Sequence, residues 1–223
     1  AYRVEGVDRE WRWLPQQFYY FYALKQWRGG PPVIAVPSGN FGNLASGVLA
    51  GISGLPVEHF IAACNANDVV PEFFATGDYR PKPSVSTLSN AMDVGDPSNF
   101  VRILEVFGQN TAHLKDRMTA VSISDERTAE TMRDIHRNYS YVLDPHGAVA
   151  YSALADSLER EPGARGIILE TAHPVKFDSV AEIIGEEVDA PASIAELFGK
   201  NKTVMEMPPE YESVREIVLD KAR

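Results

Sequence analysis

The seven residues PSGNFGN separate an apolar run, PPVIAV, from a helix-like segment, LASGVLAGI. A loop that leaves a buried strand and enters a helix presents backbone N–H groups without intrahelical partners, and the helix dipole adds positive charge there. Gly39 and Gly42 would let this backbone approach a ligand closely, because glycine has no Cβ. The pattern predicts a cradle for one phosphate group, to which Ser38, Asn40 and Asn43 add short polar side chains. A tight turn with an asparagine cap is the alternative that the spacing leaves open.

The expected ligand is a single phosphate group rather than a nucleotide. No Lys-Ser or Lys-Thr pair follows the last glycine, and the glycines do not have the G-x-G-x-x-G spacing of dinucleotide sites. The loop is also shorter than either of those motifs. The formal net charge of −10 disfavours a nucleic-acid partner, because a phosphate backbone binds to basic surfaces.

A second group of chemically capable residues, in ETAHPVKF, follows the apolar run GIIL. If that run is a parallel strand, its carboxyl end lies at the same sheet edge as the phosphate cradle. Thr171 could offer a hydroxyl there, and His173 and Lys176 could contact an anion or transfer protons. On residue type alone, a helix-start histidine and a surface lysine are the simpler interpretation of the last two.

Two further motifs carry polar groups. TLSNAMDVGDPSNF brings Asn90, Asp93 and Asp96 close together in sequence. They could be calcium ligands, although EF-hand spacing is absent, or they could tie a loop together through local hydrogen bonds. LDPHGAVAY places His146 in the first turn of an expected helix, where a structural role is the simpler interpretation.

Strands and helices are expected to alternate along the chain, which predicts an α/β fold with a mostly parallel sheet flanked by helices. The predicted strands are 33–36, 59–63, 119–123, 141–143, 166–171 and a possible one at 203–207. The predicted helices are 12–27, 43–53, 69–76, 98–107, 125–138, 145–159, 175–184, 194–198 and 210–222.

The composition is that of a globular protein, with 223 residues of which 44% are hydrophobic and 23% charged. Cys64 is the single cysteine, which excludes an intramolecular disulfide or a cysteine-built zinc site and favours a reducing, cytoplasmic location. No apolar run reaches the ~18 residues of a membrane span. We predict no metal site and no membrane partner.

Taken in order, PSGNFGN, SNAMDVGDPSNF, DPHGAVA and TAHPVKF resemble the threonine synthase family, of the longer type found in many bacteria and fungi. The segment LPQQFYYFYAL also looks like a stretch of that family. The resemblance implies a tryptophan-synthase-β-like fold (fold type II) that uses pyridoxal 5'-phosphate. It further implies conversion of O-phospho-L-homoserine and water to L-threonine and phosphate, the last step of threonine biosynthesis.

The resemblance also assigns roles to residues. The cofactor phosphate would be held by the loop Ser38, Gly39, Asn40, Phe41, Gly42 and Asn43. Thr171 would face the pyridine nitrogen of the cofactor. Contacts to the small-molecule substrate are expected at Asn90, Asp93, His173 and Lys176. In DPHGAVA, Gly147 stands where the family often has threonine.

One feature of the family has no counterpart in the sequence. The resemblance implies a Schiff-base lysine within a Phe-Lys-Asp motif, and none of the seven lysines has that context. We therefore expect residues 1–223 to be the C-terminal part of such an enzyme, with a phosphate-binding α/β domain and C-terminal helices, inactive alone. It could self-associate through the face left by the missing half, near Trp11, Trp13 and Trp27. A different fold type II lyase, or a non-catalytic phosphate-binding or divergent homologue, remains an alternative.

Overall fold

The structure is a computed structural model that describes residues 7–195, 200–201, 204–208 and 210–221. The chain forms two compact units, Ala1–Val188 and Asp189–Arg223. In the second unit the described helices are α9 (Ala192–Ala195) and α10 (Tyr211–Lys221).

The first unit contains the sheet and the helices that cover it. In chain order its elements are α1 (Val7–Gln26), β1 (Val33–Pro37), α2 (Gly42–Ile52), β2 (His59–Cys64), α3 (Val69–Thr76), α4 (Phe100–Val106), α5 (Thr111–Arg117), β3 (Met118–Ser122), α6 (Asp125–Tyr139), α7 (Pro145–Arg160), β4 (Gly166–Ile168) and α8 (Asp178–Ile184). Single 3₁₀ turns occur at Asn90–Met92 and Pro174–Lys176.

All four strands are parallel, in the order β3-β2-β1-β4. This arrangement confirms the predicted parallel α/β sheet. Because the strands run the same way, the loops that follow β1, β2, β3 and β4 all leave the sheet at its carboxyl edge. The phosphate-cradle motif follows β1, and ETAHPVKF follows β4, which is the direct neighbour of β1.

Both faces of the sheet are covered, as the uninterrupted apolar strands predict. Successive side chains of a strand point to opposite faces. Ile34 and Val36 pack on one face with the fully buried Tyr20 of α1 and with residues of α2. Val33 and Ala35 pack on the other face with residues of α7. The turn between β1 and α2 is therefore anchored in the core on both sides of the sheet.

Several predicted elements differ from the structure. Residues 141–143 form no strand, because they span the short gap between α6 and α7 and pair with no neighbour among the described residues. The predicted strand 166–171 is shorter, since pairing with β1 ends at Ile168. Residues 204–207 are not strand, and position 203 lies outside the described residues. Helix α1 begins before the predicted start, so Pro15 lies inside it.

None of the helices in the described part of the chain is both long enough and apolar enough to cross a bilayer.

Candidate functional site

The turn between β1 and α2 presents a row of free backbone N–H groups. The Ser38 N–H donates to the Ala63 carbonyl at 2.8 Å, and the Ala45 N–H donates to the Phe41 carbonyl at 2.9 Å. Between them, the N–H groups of residues 39–44 have no hydrogen-bond partner among the residues that the structure describes. The first turn of α2 carries no acidic residue. Six consecutive free amides at a helix N-terminus suit an anion, as the glycine-rich sequence predicts.

The polar side chains of this turn are bonded to protein atoms. Ser38 Oγ donates to the Val36 carbonyl at 2.8 Å. Asn40 Oδ1 accepts from the N–H and the hydroxyl of Ser98. Asn43 Oδ1 accepts from the hydroxyls of Tyr19 and Tyr20. The predicted phosphate contacts of Asn40 and Asn43 therefore rest on their backbone N–H groups rather than on their side chains, while the N–H and the hydroxyl of Ser38 are both already bonded to protein carbonyls.

Helix α1 fixes the far end of the turn through Tyr20, which is fully buried. Its hydroxyl donates to Asn43 Oδ1 at 2.8 Å and lies 2.9 Å from the Asn43 carbonyl. Burial raises the pKa of Tyr19 to about 12 and raises the pKa of Tyr20 well above its usual value, so both hydroxyls stay protonated donors. Gly47 makes this contact possible, because a Cβ there would stand 2.7 Å from the Tyr20 ring.

The loop of residues 87–100 packs directly against the cradle. Gly39 lies on the backbone of Met92, and the Asn40 carbonyl accepts from Asn99 Nδ2 at 2.8 Å. Through these contacts the second motif forms one wall of the candidate site.

Asp93 ties this loop together. Its Oδ1 accepts from Thr87 Oγ1 at 2.7 Å and from the side-chain amides of Asn65 and Asn67 at 2.9 and 3.2 Å. Its Oδ2 accepts from the Thr87 N–H at 3.1 Å. These contacts match the interpretation of a loop tied by local bonds. Within the described residues, no cluster of three or more His, Cys, Asp or Glu side chains could hold a metal ion.

His146 joins the third motif to the same loop. Its Nε2 accepts from the Ala91 N–H at 3.2 Å, so the proton of the neutral ring must lie on Nδ1, which is 2.6 Å from Asp144 Oδ1. The ring is buried and lies 5.1 Å from the ring of Phe177 in the fourth motif. His146 therefore holds three loops together in one fixed tautomer.

Two carboxyl groups meet beside Gly147. A Cβ on Gly147 would lie 3.1 Å from Glu170 Oε1 and 3.3 Å from Asp144 Oδ2. Burial, and to a smaller extent the neighbouring Asp144, raise the pKa of Glu170. Asp144 Oδ2 is buried and has no partner among the described residues. Both oxygens of Glu170 accept hydrogen bonds, Oε1 from the Asp144 N–H at 3.2 Å and Oε2 from the Tyr141 hydroxyl, and the raised pKa follows mainly from burial.

Thr171 follows β4 at the same edge of the sheet as the cradle, which follows β1. Ala35 of β1 is paired with Ile168 of β4, so Thr171 lies three residues past this pair, as Ser38 does. This confirms that the two motifs share one edge. Thr171 is exposed, as are Asn90, His173 and Lys176. His173 Nδ1 accepts from the Val175 N–H at 3.2 Å, which is a capping contact.

A groove of about 1150 Å³ runs along the open edge of β4 and ends at Thr171. Its walls include Tyr19 of α1 and Tyr139, Tyr141 and Leu143. Strand β4 pairs only with β1 among the described strands, so this groove lies where a further strand would extend the sheet.

Sequence reasoning missed the residues that position the turn from other elements. Tyr20 lies in the segment 12–27 and Ser98 in the segment 98–107, and both segments are predicted from the sequence only as helices. Asn99 lies in the same predicted helix, 98–107, which gives it no contact with the cradle. Nothing in the local pattern pairs Asn40 with a residue 59 positions away. The sequence also gives little indication of the role of Tyr20, because a tyrosine within a run of five aromatic residues is expected to pack in the core.

Comparison with known proteins gives a consistent result. Residues 1–169 match the family described as pyridoxal-phosphate dependent enzyme, and residues 147–218 match the family described as threonine synthase, C-terminal. The chain is 43% identical to threonine synthase of Escherichia coli over 94% of its own length, and 47% identical to that of Serratia marcescens over 82%. It spans 49% and 43% of those two proteins, respectively.

Solved structures agree. The crystal structure of threonine synthase from Escherichia coli superposes with a TM-score of 0.83 at 41% identity, covering 94% of this chain and 49% of that one. A threonine synthase from Brucella melitensis with bound pyridoxal phosphate gives a TM-score of 0.82 at 26% identity over all of this chain and 53% of that one. Serine racemases and threonine deaminases below 20% identity share the fold alone.

These matches define the class, since the chain belongs to the family of pyridoxal-phosphate-dependent enzymes with the fold type II architecture. Within that family it is a threonine synthase homologue, and it spans about half the length of the curated relatives it matches.

Proposed function

We propose that this chain forms the cofactor-phosphate-binding half of a threonine synthase, which converts O-phospho-L-homoserine and water to L-threonine and phosphate. The observation that carries the proposal is the row of free amides at residues 39–44, placed at the same sheet edge as Thr171. Family membership supports the cofactor, pyridoxal 5'-phosphate. Because the chain spans about half of its relatives, the complete reaction is expected to need residues that it does not contain.

The turn fits a phosphate group on three counts. The amides of residues 39–44 are free, the dipole of α2 points its positive end at them, and no acidic side chain lies in the first turn of that helix. Gly39 and Gly42 leave their parts of the turn without side chains. The overall negative charge opposes this binding little, because at physiological ionic strength surface charges more than about 8 Å away are largely screened by salt.

Thr171 would hold the opposite end of the cofactor. When bound, the cofactor supplies the electron sink, and the protein supplies orientation and tuning. A neutral hydroxyl at the ring nitrogen, in place of a carboxylate, would leave that nitrogen largely unprotonated. Proton transfer would then depend on groups of the protein and substrate near the reacting carbon.

We assign substrate contacts to Asn90, His173 and Lys176, which are exposed at the same edge. Lys176 is a cation that could attract the phosphate of O-phosphohomoserine. Asp93, whose two oxygens are already bonded, would act by holding the loop that carries Asn90. His146 would hold that same loop from the other side through Ala91.

The chain alone is proposed to be inactive, and its partner is proposed to be the remaining half of the enzyme. Two apolar surfaces of the first unit are open. One is the groove along β4, and the other is a stripe on α1, where Leu14, Phe18 and Tyr22 are 53%, 73% and 67% exposed. In the absence of a partner these surfaces favour self-association. Trp27 contributes less, since it is half-buried, while the side chains of Trp11 and Trp13 lie outside the described residues.

Calorimetric titration of the chain tests the binding part of the proposal. Pyridoxal 5'-phosphate should bind measurably more tightly than pyridoxal, which lacks the phosphate, and the mixture should show no stable internal-aldimine absorbance. Equal affinity for the two compounds would contradict the phosphate cradle.

Complementation tests the reaction. The chain is mixed with a polypeptide that supplies the rest of a relative's length, and phosphate release from O-phosphohomoserine is followed. Turnover only in the mixture supports the half-enzyme. Binding without turnover favours a non-catalytic homologue, and turnover of another amino acid favours a different lyase.

We place the protein in the cytoplasm, in keeping with its single cysteine, which is buried.

A further inference from the structure

Three consecutive residues, Ser98, Asn99 and Phe100, contact two consecutive residues of the phosphate cradle. The Ser98 N–H and hydroxyl donate to Asn40 Oδ1 at 2.7 and 3.0 Å. Asn99 Nδ2 donates to the Asn40 carbonyl at 2.8 Å. The ring of Phe100 meets the ring of Phe41 edge-on, with 5.4 Å between the ring centroids. Each residue of the tripeptide thus makes its own contact with the turn.

The turn needs support, because Phe41 has a left-handed backbone with φ 62° and ψ 10°. This conformation is strained for a residue with a side chain and persists only when the surroundings hold it. No side chain caps α2 at this position in the described part of the chain. Contacts from outside the turn must therefore hold Phe41 left-handed.

The tripeptide is well placed to give this support, since it is anchored in the core. Phe100 is fully buried and packs against Phe73 and Tyr79, with centroid distances of 5.4 and 5.7 Å. Asn99 is 7% exposed. Because the tripeptide bonds to Asn40 and packs on Phe41, it restricts the turn at both of these residues.

The side chain of Asn99 indicates that asparagine is present at this position for its hydrogen bond to Asn40 rather than for packing. Its Oδ1 is buried and accepts no hydrogen bond among the described residues. The reverse orientation of the amide would set its oxygen against the Asn40 carbonyl, so the unpaired oxygen is fixed by that bond. An apolar side chain would fill the same space without a buried unpaired acceptor. What asparagine adds here is the donor to Asn40.

We propose that Ser98, Asn99 and Phe100 are positioning residues that hold Asn40 and Phe41 in the left-handed turn and so aim the free amides of residues 39–44 at the phosphate. The claim that the amides bind phosphate rests on the proposed function. The claim that the three residues hold the turn does not depend on it. The three residues make no contact with the ligand in this account and act only through Asn40 and Phe41.

Two variants with matched controls test the proposal in the whole chain. Ser98→Ala removes the hydroxyl donor to Asn40 Oδ1 and leaves the backbone N–H donor, Asn99→Leu removes the donor to the Asn40 carbonyl, and Ser98→Thr retains the hydroxyl. Asn110→Ala removes a capping bond of α5 that does not touch the turn. The first readout is the set of backbone chemical shifts of Phe41 without cofactor, which report its left-handed conformation. The second is the affinity for pyridoxal 5'-phosphate and for pyridoxal.

In Ser98→Ala and Asn99→Leu the Phe41 shifts should move away from left-handed values. The affinity for pyridoxal 5'-phosphate should fall about threefold to tenfold for each bond lost, while the affinity for pyridoxal stays unchanged. Ser98→Thr and Asn110→Ala should behave like the unsubstituted chain. An equal loss for both compounds would indicate a merely structural effect and would overturn the proposal.

Unchanged backbone chemical shifts of Phe41 in both variants, if both fold, would also overturn the proposal. If Asn99→Leu does not fold, Ser98→Ala decides the question, because Ser98 is half-buried at the surface. If the unsubstituted chain prefers neither compound, the proposed function fails, and the Phe41 shifts still decide whether the tripeptide holds the turn.

Discussion

Gly39 lies so close to the backbone of Met92 that a Cβ on residue 39 would stand 2.5 Å from Met92 Cα. Gly39 opens the phosphate cradle, and Met92 belongs to the loop that ties Asp93 and His146 into the candidate site. Glycine at this position is therefore needed for close approach, and the two motifs can share one site only because residue 39 has no side chain.

Gly39→Ala should force the two loops apart, since the nearest atom is backbone and cannot rotate away. We expect the free energy of unfolding to fall by about 1–3 kcal/mol, the usual cost of inserting a group into a packed interior. Urea titration measures the change. Gly30→Ala is the matched control, because a Cβ there meets nothing within 4 Å. Equal stability of the two variants would show that the contact is not tight.

Tyr20→Phe removes the donor to Asn43 while retaining the ring in the core. Asn43 Oδ1 then loses one of its two hydroxyl donors in a partly buried place, and we expect a loss of about 1–2 kcal/mol in the free energy of unfolding. Tyr22→Phe is the control, since Tyr22 is 67% exposed and its hydroxyl does not hold the turn. If both variants melt alike, the Tyr20 hydroxyl does not hold the end of the turn.

Glu170 should give the protein a pH-dependent stability. Its pKa is raised above the ordinary value of 4.5 in the folded protein, mainly by burial. The folded state then holds the proton more tightly than the unfolded state, so this contribution is complete below pH 4.5 and is lost as the pH rises through the folded-state pKa. Glu170→Gln has no carboxyl group to titrate and should remove the loss.

The check is the free energy of unfolding of both proteins from about pH 4 to about pH 8, a range that contains the ordinary carboxyl pKa. The advantage of Glu170→Gln should grow as the pH rises. Glu126→Gln is a control of opposite sign, because a hydrogen bond with Ser124 lowers the pKa of Glu126. A pH-independent difference for Glu170→Gln would contradict the raised pKa of Glu170.

Phe18→Glu should reduce self-association of the chain. Phe18 is 73% exposed in the apolar stripe of α1, so the substitution adds charge without emptying the core. Light scattering after size exclusion should show oligomers for the unsubstituted chain and a shift toward monomer for the variant. Val101→Glu, on an exposed position of α4, should leave the distribution unchanged. A monodisperse monomer before any substitution would contradict the open partner face.

The sequence was most informative where one segment carries the whole signal. The run Val33–Val36 predicted β1 because it is apolar throughout, and the glycines that follow it predicted the free amides. Helix α5 was missed because only Leu114 of it is buried, so no apolar period was visible. Contacts such as Asn40 with Asn99 could not be predicted, since they depend on how distant loops meet at the sheet edge.

The central claim is that the backbone amides of residues 39–44 bind the cofactor phosphate. Titration of the isotope-labelled chain with inorganic phosphate, followed through the ¹H–¹⁵N resonances, tests it most directly. Saturable shifts concentrated at residues 39–44 and weakened in Gly39→Ala are the expected result. Shifts elsewhere on the chain, or none at these amides, would contradict the account.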